Sequence, residues 1–211
     1  MPNTQKSEST LYYIHDPMCS WCWAFRPAWL ALQSQLSGHI KVVNSLGGLA
    51  VDSDEPMQES LQKTLQKIWA RIQVKVPNTE FNFDFWSNCQ PRRSTYASCR
   101  AVIAASLQGK EFEEKMILGI QQAYYLQAKN PSDNEVLIQI AQEIGLDKSV
   151  FTELLDSPDT QQKLLQQINF NQELGANAFP SLILETGSQL IPIPIDYLNP
   201  ENMLKQIQTN L

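Results

Sequence analysis

Apolar runs near the start of the chain predict a strand, a helix and a second strand. Residues 11–14 form a short apolar and aromatic run with strand character. From residue 22 to residue 36, apolar side chains recur every three or four positions, which predicts a helix closed by Gly38. Residues 40–44 predict a second strand that stops at Gly47. This order predicts a parallel strand pair joined by a right-handed crossover.

The middle of the chain carries helical periodicity and little strand character. Helices are predicted at residues 57–72, 97–107, 112–124, 136–144, 150–155 and 158–174. The segment Ser132-Asp133-Asn134-Glu135 has the form of a capping box for the fourth of these helices. Ser157-Pro158 predicts an N-cap followed by a proline at the first helical position.

Strand character returns near the end of the chain. Residues 181–185 and 190–193 flank Thr186-Gly187-Ser188, which predicts a hairpin. Pro192 in the second run and Pro194 directly after it predict that this strand lies at the edge of a sheet. Asn199-Pro200 predicts the start of a final helix. We therefore expect an α/β fold in which residues 1–48 and 176–211 form one domain and residues 49–175 form an inserted all-helical domain.

Composition narrows the class of protein and its partners. The chain has 211 residues, of which 43% are hydrophobic and 18% charged, as in an ordinary globular protein. Its net charge of −6 argues against nucleic acid or an anionic membrane as a partner. The first ten residues are too polar for a secretory signal, so we expect a cytoplasmic location. Thiols are kept reduced there, which argues against two permanent disulfides among the four cysteines.

The candidate chemistry lies between the first strand and the first helix, in the motif Cys19-Ser20-Trp21-Cys22. A helix N-terminus favours negative charge and lowers the pKa of a cysteine from ~8.5 to ~3.5–7.5. We expect Cys19 to be the more exposed attacking thiol and Cys22 to be the more buried resolving thiol. A structural zinc site is an alternative, but Cys89 and Cys99 are poorly spaced as its second ligand pair, so no metal is expected. An inert buried pair is a further alternative.

A second landmark is the segment Ala178-Phe179-Pro180, which directly precedes a predicted strand. A proline at this place removes a hydrogen-bond donor from the sheet. A cis Phe179–Pro180 bond would explain it, and a trans proline that starts the strand is the simpler alternative on composition alone.

The chain resembles the DsbA family of thioredoxin-fold proteins, and within it the cytoplasmic FrnE-like group described as predicted protein-disulfide isomerases. The resemblance rests on Asp-Pro-Met-Cys-Ser-Trp-Cys-Trp at residues 16–23, on Pro27, and on Gly-Ala-Asn-Ala-Phe-Pro-Ser at residues 175–181. It implies a thioredoxin fold with an inserted helical domain, and a cis Pro180 that lies against the cysteine pair. It also implies that an extended substrate pairs with the backbone of Phe179, and that exchange proceeds through a mixed disulfide on Cys19.

Other residues near the motif are candidates for tuning the site or binding substrate. Ser20 could donate a hydrogen bond to a thiolate, and Trp21 could offer an aromatic surface to apolar substrate segments. His15, if protonated, would raise the thiolate fraction, although a histidine without a role is the simpler interpretation. Asp16 is interpreted as a turn residue. The Ser20-Trp21 dipeptide differs from the Pro-His of DsbA, so the redox direction stays open.

Two other functions remain open. One is a glutathione-dependent transferase or isomerase of the kappa-class type, and the other is a non-catalytic peptide-binding or chaperone module that uses the helices. We expect no cofactor besides the Cys19–Cys22 disulfide, with glutathione as a possible co-substrate. The expected partners are proteins or small molecules that carry thiols or disulfides, and neither nucleic acid nor membrane is expected.

Two clusters outside the motif are also candidates. Cys89 and Cys99 are interpreted as free structural thiols rather than as a second disulfide. Arg92, Arg93 and Arg100 form a basic cluster that could bind an anion such as a glutathione carboxylate, or could simply face solvent.

Overall fold

A four-stranded sheet of order β2-β1-β3-β4 organises the computed structural model, which describes residues 9–211. β1 (Ser9–His15) pairs in parallel with β2 (Ile40–Leu46) and antiparallel with β3 (Ser181–Thr186). β4 (Gln189–Ile193) pairs antiparallel with β3 and forms one edge. The predicted parallel pair and the predicted hairpin with an edge strand are confirmed. The polar residues 1–8, on which the argument against a secretory signal mainly rests, lie outside the described residues.

The crossover helix α1 (Ser20–Gln33) contains Pro27 and joins β1 to β2. It ends well before Gly38, so the predicted helix end was wrong. The backbone tightens after Ser34, where Gln35 N donates to Leu32 O at 2.9 Å and Leu36 N donates to Gln33 O at 3.3 Å. These shorter hydrogen-bonded turns replace the last predicted turn of the helix.

Helices fill the chain between β2 and β3. Their bounds are α2 (Glu59–Lys75), α3 (Phe85–Asn88), α4 (Tyr96–Gln108), α5 (Glu111–Tyr125), α6 (Asn134–Glu143), α7 (Lys148–Leu155) and α8 (Pro158–Glu173). The sequence did not predict α3, because one turn is too short to show a helical period. Ser157 caps α8 as predicted, since its side chain accepts a hydrogen bond from Thr160 N. The capping box at α6 was wrong: Asp133 is the N-cap, and Ser132 Oγ instead donates to Ser94 O at 2.7 Å.

Two large apolar cores stabilise this arrangement, beside a small cluster of Ile14, Ala176 and Ile183. The larger one lies within the helical block around the buried Trp69, whose ring centroid is 4.8–6.1 Å from those of six aromatic side chains: Phe81, Phe83, Phe85, Trp86, Tyr124 and Tyr125. The smaller one lies between the sheet, α1 and the final helix α9 (Pro200–Thr209), and it contains Phe25, Leu32 and Met203. The predicted α/β architecture, with helices inserted between β2 and β3, is confirmed. The domain boundaries at residues 48 and 175 stay a prediction.

Contacts between the helical block and the sheet matter for the site. From α8, Gln167 Oε1 accepts a hydrogen bond from Leu46 N at 2.7 Å, and Asn171 Nδ2 donates one to Leu46 O at 2.9 Å. The carboxyl end of β2 is therefore held by α8, directly beside the end of β1 and the start of α1.

Candidate dithiol site

Cys19 and Cys22 lie at the start of α1, directly after the loop that connects it to β1. Cys19 is the N-cap residue of α1, with extended backbone angles, and its N–H donates to Asp16 O at 3.0 Å. Cys19 is 8% exposed and Cys22 is fully buried, the order that the sequence predicts. Both thiols are free. The more accessible sulfur therefore belongs to the N-cap residue, at the end of the helix where the dipole favours negative charge, although its side chain makes no capping hydrogen bond.

The Phe179–Pro180 peptide bond is cis, as the resemblance implies. Cys19 Sγ donates to the carbonyl oxygen of Phe179 at 3.6 Å, although 160 residues separate them in the chain. The structure therefore brings the second sequence landmark into contact with the first.

A cavity of about 370 Å³ opens beside Cys19. Its wall is largely apolar and comes from both the sheet unit and the helical block, with Leu49, Trp69, Arg93 and Phe179 among the lining residues. A larger cavity of about 550 Å³ lies along α1, lined by Trp23, Pro27 and Leu118, and does not include either cysteine. The smaller cavity is the better candidate for substrate, because it contains the accessible sulfur.

Asp16 opens the turn before Cys19, as predicted, and its side chain is also completely buried behind this cavity. Its carboxylate accepts hydrogen bonds from Met18 N at 2.8 Å, Leu49 N at 2.7 Å and Thr95 Oγ1 at 2.7 Å. Cys99 Sγ is a fourth and weaker donor, at 3.5 Å. Burial raises the pKa of Asp16, and the donors from Leu49, Thr95 and Met18 lower it again in part. One carboxylate thus ties the loop before Cys19 to the segment after β2 and to α4.

Burial also governs the ionisation of Cys22. Removal from water raises the pKa of the Cys22 thiol well above its ordinary value, and hydrogen bonding and charge from Cys19 raise it further. Asp16 acts in both directions, since its backbone hydrogen bond lowers the pKa of Cys22 and its negative charge raises it. Cys22 is therefore a protonated thiol at neutral pH.

His15 does not carry the positive charge that the sequence analysis considered. Its side chain is 1% exposed and stacks on Tyr13 with a ring-centroid distance of 4.7 Å. Burial, and then the nearby charge of Arg26, lower the pKa of His15 to about 3. The hypothesis of a protonated His15 beside the thiolate is therefore wrong, because the buried imidazole is neutral at physiological pH.

The two residues between the cysteines differ in their surroundings. Trp21 is half-buried beside the cavity, with its ring centroid 5.2 Å from that of Tyr197 and the Arg71 guanidinium 5.8 Å from its own ring. Ser20 is the first residue of α1 and also lines the cavity, and its hydroxyl makes no hydrogen bond to any part of the chain described by the structure. Trp21 therefore presents an aromatic surface at the site, whereas a contact from Ser20 to Cys19 is not formed here.

The basic cluster is largely neutralised by carboxylates. Arg92 pairs with Asp133 at 2.6 Å, and Arg100 pairs with Asp52 at 2.6 Å. Arg93 is exposed at the edge of the cavity and forms no ion pair within residues 9–211. Arg93 is therefore the member of the cluster that remains available to an anion near Cys19.

The other two cysteines are free thiols that donate to different acceptors. Cys89 Sγ donates to Ala128 O at 3.1 Å, and Cys99 donates to Asp16. Within residues 9–211, no three histidine, cysteine or acidic side chains cluster as metal ligands would. No helix in the same residues is both long and apolar enough to cross a membrane.

Comparison with solved structures identifies the fold. The chain superimposes with a TM-score of 0.83 on a protein from Nitrosomonas europaea that carries a provisional description as a protein disulfide isomerase, with 26% identity over 96% of this chain and 97% of that one. The cytosolic disulfide reductase DsbM from Pseudomonas aeruginosa superimposes with a TM-score of 0.75 and 24% identity, covering 95% of this chain and 98% of that one. A structure of DsbM with GSH gives a TM-score of 0.74.

Comparison of sequences gives a family model and a set of differently named relatives. The family model described as thioredoxin matches residues 12–189. The ClpXP adapter protein SpxH of Halalkalibacterium halodurans is 24% identical over 82% of this chain and 57% of its own length, and that of Bacillus subtilis is 23% identical over 84% and 58%. The chain thus spans somewhat more than half the length of these curated relatives.

Proposed function

The chain belongs to the thioredoxin family and has the DsbA-type fold, and we propose that it exchanges disulfides through Cys19 and Cys22. The observation that carries the proposal is the contact of 3.6 Å between Cys19 Sγ and Phe179 O, at the mouth of an open cavity. This contact joins an accessible thiol at a helix N-terminus to a backbone segment that can bind a peptide.

Exchange proceeds in two displacement steps. The Cys19 thiolate attacks one sulfur of a substrate disulfide, which forms a mixed disulfide and releases the other substrate sulfur as a thiolate. The Cys22 thiolate then attacks Cys19 Sγ, which forms the Cys19–Cys22 disulfide and releases the second substrate thiolate. The two protons lost by the cysteines go to the two substrate sulfurs, and two electrons pass from the dithiol to the substrate. The reverse sequence oxidises a substrate dithiol.

The raised pKa of Cys22 fits the role of the second nucleophile. A protonated Cys22 does not compete with Cys19 for substrate, because the thiolate is the reactive form. Its complete burial also keeps it from forming mixed disulfides of its own. Once Cys19 is consumed in the mixed disulfide, the charge beside Cys22 is removed, and deprotonation of Cys22 becomes easier.

Phe179, Pro180 and Trp21 form the substrate side of the proposed site. The Phe179 carbonyl lies beside the reacting sulfur, and the half-buried Trp21 lines the same cavity. An extended peptide would pair its backbone with that of Phe179 while an adjacent apolar side chain contacts Trp21. We propose protein or peptide disulfides as the main substrates, in the cytosol, where the structurally similar DsbM is named as a reductase.

Trapping of the mixed disulfide tests this function. Cys22→Ser leaves the first step intact and removes the second, so it should accumulate a covalent adduct with a disulfide-containing peptide, detected by mass spectrometry at Cys19. Cys19→Ser should form no adduct, and Cys89→Ser should behave like the unmodified protein because Cys89 lies apart from the cavity lining. Equal turnover by the unmodified protein and Cys19→Ser would refute the proposal.

Glutathione is a second candidate for the substrate of the same cavity. The observation in its favour is the exposed Arg93 beside Cys19, since a guanidinium can bind a carboxylate. Calorimetric titration with S-methylglutathione, which cannot exchange, should detect binding that Arg93→Gln weakens by about tenfold, as expected for loss of about 1.4 kcal/mol. Undetectable binding to the unmodified protein at millimolar concentration would remove this candidate and the kappa-class alternative with it.

An adapter function is the candidate from a different class, and it rests on the names of the curated relatives. An adapter binds its protein partners without chemistry at sulfur. A double variant, Cys19→Ser with Cys22→Ser, would then bind a ClpX-type unfoldase as well as the unmodified protein does, as measured by surface plasmon resonance. Lack of binding by either form would argue against an adapter role for residues 1–211.

A further inference from the structure

The side chain of Phe179 rests directly on the backbone of Gly47. A Cβ atom built at Gly47 would lie 2.3 Å from both Cε1 and Cζ of the Phe179 ring and 2.7 Å from Cε2. Carbon atoms in contact are normally 3.5–4.0 Å apart. The ring therefore occupies space that any other residue at position 47 would fill, and the far edge of the ring is the part that would collide.

Gly47 cannot move away from such a collision, because the segment around it is held by side chains from several elements. We call residues 46–50 the floor segment. Leu46 is bonded on both its N–H and its carbonyl by α8, and Gly47 N donates to His15 O at 2.7 Å. Leu49 N donates to Asp16 Oδ2 at 2.7 Å, and Ala50 N donates to Thr95 Oγ1 at 3.1 Å. Movement of the floor segment would break hydrogen bonds on either side of Gly47.

The Phe179 ring, in contrast, belongs to the residue whose carbonyl oxygen contacts the reacting sulfur. The ring packs against the buried side chains of Ile14, Ala176 and Ile183, and the carbonyl of the same residue lies 3.6 Å from Cys19 Sγ. Because these buried side chains restrict rotation of the ring, pushing it off Gly47 shifts the Phe179 backbone as well, and with it the carbonyl that faces Cys19.

We propose that Gly47 is a positioning residue for substrate binding: the space left by its missing side chain seats the Phe179 ring and thereby fixes the Phe179 backbone beside Cys19. This inference rests on the proposed exchange function and names a residue outside the dithiol motif that the function depends on. It assigns to Gly47 an effect on peptide binding rather than on the reactivity of the cysteines themselves.

The structure indicates how large the effect should be. A Cβ at position 47 requires the ring to move by more than about 1 Å to reach an ordinary contact distance. A displacement of about 1 Å in a positioned group can reduce a rate by about 100-fold. We expect Gly47→Ala to lower kcat/KM for a peptide disulfide at least tenfold, mainly through a higher KM. The same variant should change kcat/KM for hydroxyethyl disulfide less than threefold, since that small disulfide has no backbone to pair with Phe179.

The matched test uses a second substitution that removes the colliding atoms. Leucine lacks the Cε and Cζ atoms of phenylalanine, so Phe179→Leu makes room for a methyl group at position 47. In the Phe179→Leu background, Gly47→Ala should therefore lower kcat/KM for the peptide less than twofold. Gly119→Ala serves as the control: a Cβ there meets Ile140 Cγ2 at 2.5 Å in the helical block, away from Phe179, so it should reduce the unfolding midpoint without changing KM.

The outcomes separate this inference from the proposed function. Full peptide turnover by Gly47→Ala, or an equal loss with and without Phe179→Leu, would refute the positioning role while exchange itself stands. Failure of every form, including the unmodified protein, to reduce either disulfide would refute the exchange function instead. If Gly47→Ala alone does not fold, the double variant Gly47→Ala/Phe179→Leu decides the question. A folded double variant with the kinetics of Phe179→Leu supports the inference. A double variant that does not fold overturns the steric account.

Discussion

Replacement of Thr95 by valine tests whether the buried carboxylate of Asp16 depends on the helical block. Thr95 Oγ1 donates to Asp16 Oδ2 at 2.7 Å and accepts from Ala50 N at 3.1 Å, and the side chain is almost fully buried. Valine has nearly the same shape but has no hydroxyl group. Thr95→Val therefore removes one donor from a buried charge and leaves one backbone N–H without an acceptor.

The two losses can be added from their typical values. A hydrogen bond to a charged group contributes about 1.5–3 kcal/mol, and a buried N–H without a partner costs about 1–3 kcal/mol. We expect Thr95→Val to lower the free energy of unfolding by about 2.5–6 kcal/mol. Helix capping does not enter this sum, because Thr95 is the N-cap of α4 but its side chain makes no capping hydrogen bond.

Thr95→Ser is the matched control, since serine keeps the hydroxyl and loses one methyl group. Its expected cost is about 1 kcal/mol, the value for a single buried carbon. Urea unfolding followed by tryptophan fluorescence gives the free energy of unfolding for both variants. A difference below about 1 kcal/mol between Thr95→Val and Thr95→Ser would mean that the hydroxyl is not part of a buried charge network, and the account of Asp16 would fail.

Three further predictions address buried groups near the site. The folded-state pKa of His15 is lowered from 6.5 to about 3, so its imidazole proton signals should show no titration between pH 5 and pH 8 in NMR spectra. His15 should also reduce the stability of the protein as pH falls below 6.5, and His15→Phe should abolish this loss. A fitted pKa above 5 would contradict both expectations. Burial raises the pKa of Asp16 above 3.8, so the native state keeps this proton to a higher pH than the unfolded chain does. Compared with Asp16→Asn, the protein should therefore lose stability as pH rises from 3.8 through the folded-state pKa. A difference in unfolding free energy between the two proteins that stays constant from pH 4 to pH 7 would contradict this prediction. Trp69→Ala should cost about 3–5 kcal/mol in urea unfolding, since it empties the centre of the aromatic cluster, and a cost below 2 kcal/mol would show that the cluster collapses around the gap.

Much of the fold could be predicted because the deciding signals are local. Apolar periodicity over ten or more residues locates α2, α4 and α5 to within a few residues, and the proline in β4 indicates its place at an edge. The end of α1 could not be predicted, since apolar Leu36 continues the helical pattern past the point where the backbone tightens. The local sequence is compatible with either a further α-helical turn or a tighter turn at this place, and it does not show which of them forms.

The candidate site divides in the same physical way. The cysteine motif is visible because a short spacing after a strand and before a helix is sufficient to suggest its chemistry. The turn at Asp16 was predicted, but its further role as a buried acceptor was missed because that role depends on partners 33 and 79 residues further along the chain. His15 was misjudged because the charge of a histidine follows its burial, which the sequence does not show. An acidic residue between two strongly apolar elements is a signal that could have suggested a buried carboxylate.

The position of Asp16 bears on why the helical block contributes to the dithiol site at all. Burying a carboxylate costs free energy, because the charge loses its contact with water. Apolar packing or neutral hydrogen bonds could join the same three segments without that cost. The cost here is offset by donors from Met18, Leu49 and Thr95, and the last of these comes from the helical block. Burial and the neighbouring Cys19, rather than Asp16, dominate the raised pKa of Cys22, so the main contribution of Asp16 is to hold these segments together. The helical block therefore does more than cover the sheet: by supplying a donor to Asp16, it offsets part of the cost of burying a carboxylate next to the dithiol motif.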